Sequence, residues 1–179
     1  MKTIACLGLI FSLTFLGGCG YTTKSILAPG IKSICIDNFA NGIDLSREIT
    51  DKRADYSYRP GLETDITRGV IDRFLFNGRL DIKSRENADL VLTGKLTDFR
   101  QFPLSYDNEE NVEEYRIEIF VEVELSDRRD GKLLWKESSF MGQTSYTVSG
   151  PHAKSEEEAI KLAVKDLAVR IVERTVEAW

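Results

Sequence analysis

The sequence predicts an α+β fold: a two-layer sandwich in which a four-stranded, mainly antiparallel sheet carries two helices, in the order β-α-β-β-β-α. Three observations predict it. Apolar residues recur at helical spacing near 60–76 and again near 156–177. Between them, within 88–99 and 114–127, apolar and polar residues follow the period of a strand. Helices and sheet each have an apolar side that only a shared core can bury. Composition fits one such domain. Of 179 residues, 42% are hydrophobic and 30% charged, too apolar for a disordered chain and too charged for a multi-span membrane protein. The net charge of −5 argues against a basic nucleic-acid-binding domain.

The first strand is expected within Ile31–Phe39. Ile34, Cys35 and Ile36 form an unbroken apolar run, the mark of a strand covered on both faces. Cys35 is then a small buried hydrophobe. Residues 40–59 read as a long polar loop. Pro60 suits a helix start, where its missing N–H costs nothing. Leu62, Ile66, Val70 and Phe74, with Ile71 and Leu75 beside them, make the stripe of the first helix, 60–76. Asn77-Gly78 stops it, glycine being the default left-handed cap.

Leu80–Ser84 is a short extended piece. Ala88–Phe99 is a strand with Ala88, Leu90, Leu92 and Leu96 on one face, where Gly94 marks close packing or a bulge. Residues 100–112, with Pro103, read as an acidic loop. In Glu114–Asp127, Tyr115, Ile117, Ile119, Val121, Val123 and Leu125 alternate with charged residues and Phe120. Phe120 falls on the polar face, to pack under a helix edge or to meet a partner. Asp127–Gly131 is a hairpin loop with glycine at the positive-φ position, and Leu133–Tyr146 is the returning strand. Ser155 and Glu158 form a capping box ahead of the second helix, 156–177. Its stripe is Ile160, Ala163, Val164, Leu167, Ala168 and Ile171. Alternating strand directions place loops 40–59, 100–113 and 147–155 at one end. The start of the domain, the 77–87 connection and the 127–132 hairpin lie at the other, the end at which the chain enters from residues 20–30.

The start of the chain is not part of this domain. Lys2 precedes an apolar run, Ile4–Leu16, too short for a comfortable membrane span of about 20 residues and fitting a signal-peptide core. Leu16-Gly17-Gly18-Cys19 resembles the bacterial lipobox. That resemblance implies cleavage before Cys19 and acylation of Cys19, so 1–18 is a signal peptide, 19–30 an acylated tether and 31–179 a single domain. The mature chain loses one base, Lys2, and no acid, taking −5 to −6. Two or more acyl chains anchor a protein stably where one does not. Gly20 in place of Asp, by resemblance to bacterial sorting rules, favours the outer membrane, facing the periplasm.

Catalytic patterns are missing: no GxSxG, HExxH, CxxC, P-loop or dinucleotide fingerprint occurs. His152 is the sole histidine and reads as a surface residue. The acids of 107–114 lack the spacing of a calcium loop. No catalytic residue, metal or cofactor is expected. The aromatics Tyr106, Tyr115, Phe120, Phe140 and Tyr146 could line a binding surface.

An ordered set of short pieces runs from Cys19-Gly20-Tyr21 through Ile34-Cys35-Ile36-Asp37-Asn38-Phe39, Asn77-Gly78-Arg79-Leu80 and Ala88–Gly94. It continues through Pro103-Leu104-Ser105-Tyr106-Asp107 and Leu133-Leu134-Trp135-Lys136 to Asp166-Leu167-Ala168. Behind a lipobox, this set resembles the lipopolysaccharide-assembly lipoprotein family, LptE. The resemblance implies a non-enzymatic α+β lipoprotein that plugs the outer-membrane β-barrel LptD, assists its assembly and takes part in delivering lipopolysaccharide to the outer leaflet. It also implies contact with lipopolysaccharide phosphates, which favour Lys or Arg on exposed loops. Lys154, just before the second helix, and Arg100 are the candidate lipopolysaccharide-binding residues, with Arg128, Arg129 and Lys132 a rival patch at the opposite end. The acidic balance requires any such contact to be local. The alternative is a periplasmic scaffolding or regulatory lipoprotein that binds a cell-wall enzyme or a secretion component.

Overall fold

The computed structural model describes residues 30–43 and 59–176. The expected signal peptide, Cys19 and the tether up to residue 29 lie outside the described residues, as do 44–58 and 177–179. Eight elements follow in order: β1 (Ser33–Ile36), β2 (Ala40–Asn41), α1 (Leu62–Asn77), β3 (Asp81–Ile82), β4 (Leu90–Tyr106), β5 (Val112–Asp127), β6 (Leu133–Thr147) and α2 (Glu156–Val176).

The strands form one mixed open sheet of six, ordered β3-β1-β4-β5-β6, with β2 beside β4. The α+β class with two helices therefore stands, and the four-stranded, mainly antiparallel sheet is corrected. β1 runs parallel to both neighbours, with Ile34 opposite Ile82 and Leu90. Only β4, β5 and β6 form an antiparallel meander. The reason is connectivity: α1 lies between β1 and β3, and a helical crossover returns the chain in the same direction. β2 and β3 have two residues each, too few to show a period in sequence.

β1 shows why its apolar run is unbroken. All four residues are buried. Ile34 and Ile36 face the main core, while Cys35 joins Ala88 and Val91 in a separate cluster. That second cluster forms where the 83–89 connection crosses β1 on the helix-free face. Burial, then the Asp37 carboxylate, pushes the Cys35 thiol upwards, keeping it protonated. Asp89 fastens the crossing: its Oδ2 accepts from the backbone N–H groups of Lys32 (2.9 Å) and Ser33 (3.0 Å) and from the Ser33 hydroxyl (2.8 Å).

β4 is longer than expected. It continues through Arg100 to Tyr106, so the loop predicted at 100–112 shrinks to 107–111. Pro103 pairs with Tyr115 of β5. Among the described residues nothing pairs with β4 on its other side beyond Leu96. Proline is tolerated there because its missing N–H would face an edge.

The helices cover one face of the sheet side by side. Arg59 meets Glu156 at 2.6 Å near their starts, and the Arg79 guanidinium donates to the Val176 carbonyl (3.2 Å) at their ends. Leu62, Ile66, Val70 and Phe74 of α1 and Ala163, Leu167 and Ile171 of α2 are buried against Leu92, Ile117, Ile119 and Val123. Gly142 admits α2: a Cβ there would lie 2.7 Å from the Ala163 carbonyl oxygen. Gly94 likewise makes room for the Phe39 ring. Ile71 packs beside the stripe, but Leu75 does not; it is 62% exposed, since it projects about 100° away from Phe74 around the helix.

The pairings define two ends. The starts of β1, β3, β4 and β6 and the end of β5 lie together at what we term the near end, where Gly30 enters. Loop 107–111 and loop 148–155 lie at the far end, tied by the Val148 N–H to the Glu113 carbonyl (3.0 Å).

Candidate interaction site

On the helix-free face, β4, β5 and β6 present a lattice of charges and aromatic rings. The register sets Asp98 opposite Phe120, Arg100 opposite Glu118 and Phe102 opposite Arg116. Arg100 bonds Asp98 (2.7 Å) and lies over the Phe120 ring, 4.7 Å from its centre. Arg116 covers Phe102 at 6.0 Å. Lys136 bridges Glu122 (2.6 Å) and Glu124, which holds the Glu122 carboxyl below its usual range. Phe120 thus neither packs under a helix edge nor stands bare; an arginine shields it.

The two candidate phosphate contacts do not converge. Arg100 lies within β4, on the helix-free face, with its charge already engaged by Asp98. Lys154 lies in the far-end loop, exposed, its N–H donating to the Thr147 carbonyl (3.0 Å). The capping box beside it forms as expected. The Ser155 Oγ accepts from the Glu158 N–H (3.2 Å), and Glu158 Oε2 accepts from the Ser155 N–H (2.9 Å). These bonds hold the Glu158 carboxyl below its usual range. Glu156, Glu157 and Glu158 therefore already supply the negative charge that this helix terminus favours, which lowers its attraction for a further anion.

The far end is acidic. Residues 105–114 and 148–158 hold eight Asp or Glu and one base, Lys154. Asp107 is committed to its own loop: Oδ1 accepts from the N–H groups of Glu109 (2.8 Å) and Asn111 (2.9 Å), and the Asn111 contacts foremost hold its carboxyl low. The rival patch at the near end is also partly engaged. Arg129 forms a fork on buried Asp127 (2.5 and 2.9 Å) and pulls its carboxyl down to about 2, while Arg128 donates to the Ala88 carbonyl (2.6 Å).

The five aromatics do not line one surface. Tyr115 and Tyr146 stack at 5.9 Å on the helix side, and Tyr146 is buried, its hydroxyl accepting from Gln101 (2.8 Å). Phe140 packs on the core; Tyr106 is exposed at the far end. Sequence reasoning missed the adjacent exposed pair Leu75–Phe76. The helical period was the available signal, since both residues fall off the 62-66-70-74 stripe.

Among the described residues no three His, Cys, Asp or Glu side chains gather as metal ligands, and no helix is long and apolar enough to cross a membrane. What the described surface offers is ion pairs, arginine-covered rings and shallow grooves. A family model for lipopolysaccharide assembly, LptE, matches residues 31–175, and the chain belongs to that family. It is a family of non-enzymatic lipoproteins associated with lipopolysaccharide transport.

No curated protein matches the chain. Solved structures do resemble it. One is rare lipoprotein B from Shewanella oneidensis, at 18% identity, covering 79% of this chain and 89% of that one, with a TM-score of 0.40. Another is the PelC dodecamer from Paraburkholderia phytofirmans, at 15% identity, 83% and 90% coverage and a TM-score of 0.46. A third is a hypothetical protein from Chlamydia trachomatis, at 13% identity, 80% and 95% coverage and a TM-score of 0.48.

Proposed function

We propose that the protein is an outer-membrane lipoprotein, held by acyl chains on Cys19 and facing the periplasm. In this reading it plugs the LptD β-barrel, assists its assembly and takes part in passing lipopolysaccharide to the outer leaflet. The family match across 31–175 carries this reading. Two structural features support it. A plug must be rigid, and both helices share one continuous core with the sheet. A plug must also suit a barrel's polar lumen, and the helix-free face presents ion pairs and arginine-covered rings. Lys154 and Arg100 remain the proposed phosphate contacts, acting separately, with Lys154 the more available of the two.

Detergent extraction of native membranes followed by affinity capture of the acylated chain tests the main reading. A large β-barrel is expected to co-purify. A clean monomer with no barrel would sink the plug and leave the scaffolding alternative, whose depletion would disturb the cell wall or secretion rather than lipopolysaccharide placement. A Lys154→Glu variant is expected to bind lipopolysaccharide more weakly; binding equal to wild type removes Lys154 from the site.

A further inference from the structure

The near end carries a surface that the plug reading does not use. Leu75 and Phe76, consecutive in the last turns of α1, are 62% and 81% exposed. Leaving two large apolar side chains in water forgoes burial energy, so such a pair points to a partner. Arg73 holds its guanidinium 5.2 Å over the Phe76 ring, and Arg79 is exposed three residues on. Leu133, also exposed, starts β6 at the same end. Beside Phe76 a groove of about 410 Å³ opens between the helices, lined by Val164 and Ala168 with Arg73, Lys161, Lys165 and one acid, Asp72. Arg73 Nε is buried there and has no acceptor among the described residues.

Charge separates this end from the other. Residues 30–33, 78–89 and 126–133 hold seven Lys or Arg against five Asp or Glu, whereas Arg59, 105–114 and 148–158 at the far end hold two bases against eight acids among the described residues. Asp89 is, moreover, spent on the Lys32 and Ser33 donors, while Asp127 and Arg129 neutralise each other. The chain also enters here. Cys19 stands eleven residues before Gly30, a reach of at most about 40 Å when extended.

We propose that the near end is a lipid-docking surface, on which Leu75 and Phe76 enter the interfacial zone of an anionic bilayer and Arg73 and Arg79 meet its phosphates. Aromatic and aliphatic side chains bracketed by cations suit that zone, where apolar burial and attraction to anionic headgroups add. The proposal shares with the plug reading only the anchor on Cys19, which joins the domain at this end. It gives the anchored domain a defined orientation before it meets a protein partner.

The test uses residues 20–179, which lack the acylated cysteine and hold every described element. The result is therefore independent of acylation and of the barrel. Sedimentation with phosphatidylcholine vesicles is compared with sedimentation when about one lipid in three is phosphatidylglycerol. Partition to the anionic vesicles is expected, and Leu75→Ser with Phe76→Ser lowers it about tenfold or more. Arg79→Gln lowers it about fivefold. Tyr106→Ser, at the acidic end, leaves it unchanged. Thermal melting checks that each variant folds, as exposed positions should. Four outcomes overturn the proposal: wild type partitions no better than the double serine variant, neutral and anionic vesicles bind equally, Tyr106→Ser is equally harmful, or inorganic phosphate engages Arg73 while vesicles bind nothing.

Discussion

On the helix-covered face of the sheet, Ile117, Ile119, Val121, Val123 and Leu125 are all buried. One residue along, on the helix-free face, Glu118, Phe120, Glu122 and Glu124 remain part-exposed, Glu122 and Glu124 paired with Lys136 and Phe120 stacked beneath Arg100. The strand is the same, but the solvent is not. The covered face is stabilised by area removed from water and by close packing. The open face is held by interactions that water and salt screen. The difference teaches that β5 confers stability with one edge of its alternation and leaves the other free for recognition.

Truncating Phe74, fully buried between α1 and the sheet, should have the largest effect. Phe74→Ala is expected to cost about 3–5 kcal/mol in denaturant unfolding; a loss below one kcal/mol would break the contrast between the faces. Gly142→Ala comes next, at about 1–3 kcal/mol. Its methyl meets the α2 backbone, which cannot give way as a flexible side-chain tip could. On the open face, Arg100→Ala should cost only about 0.5–1 kcal/mol. It should also increase the exposure of Phe120, readable as stronger binding of a hydrophobic dye. Lys136→Gln should change stability least, and high salt should erase the difference from wild type.

Asp127 sharpens the comparison by pH. It is a buried carboxylate at the near end, held to about 2 by Arg129. A depressed folded pKa contributes stability above the ordinary carboxylate range and loses it as protonation sets in. Acid unfolding of wild type should therefore steepen between pH about 4 and about 2. Asp127→Asn should flatten that stretch while lowering stability at neutral pH.

Much of this was legible in the chain. Gly78 adopts φ 68° and its N–H bonds the Phe74 carbonyl at 3.0 Å, as the Asn-Gly stop predicts. Gly131 has φ 69° in the hairpin, and the Ser155–Glu158 box closes as read. The unbroken run in β1 announced cover on both faces. The strand count was less legible, because β2 and β3 are too short to carry a period. Pro103 misled because proline reads as a strand breaker unless the free edge is known. Among the candidate site residues, Lys154 stands in its expected loop. Arg100 does not, since the end of β4 was misplaced with Pro103, and its pairing with Asp98 depends on the face both share.

The sequence by itself determined the periods, the caps, the turns and the family, because each rests on residues within a turn or two of one another or on their order along the chain. Only the tertiary structure decided that β1, β3 and β4 run parallel, that Arg100 pairs with Asp98 and covers Phe120, and that acids outnumber bases at the far end but not at the near end. Those outcomes depend on which segments become neighbours across the sheet. That is settled when two helices and six strands share one buried core, and no local pattern records it.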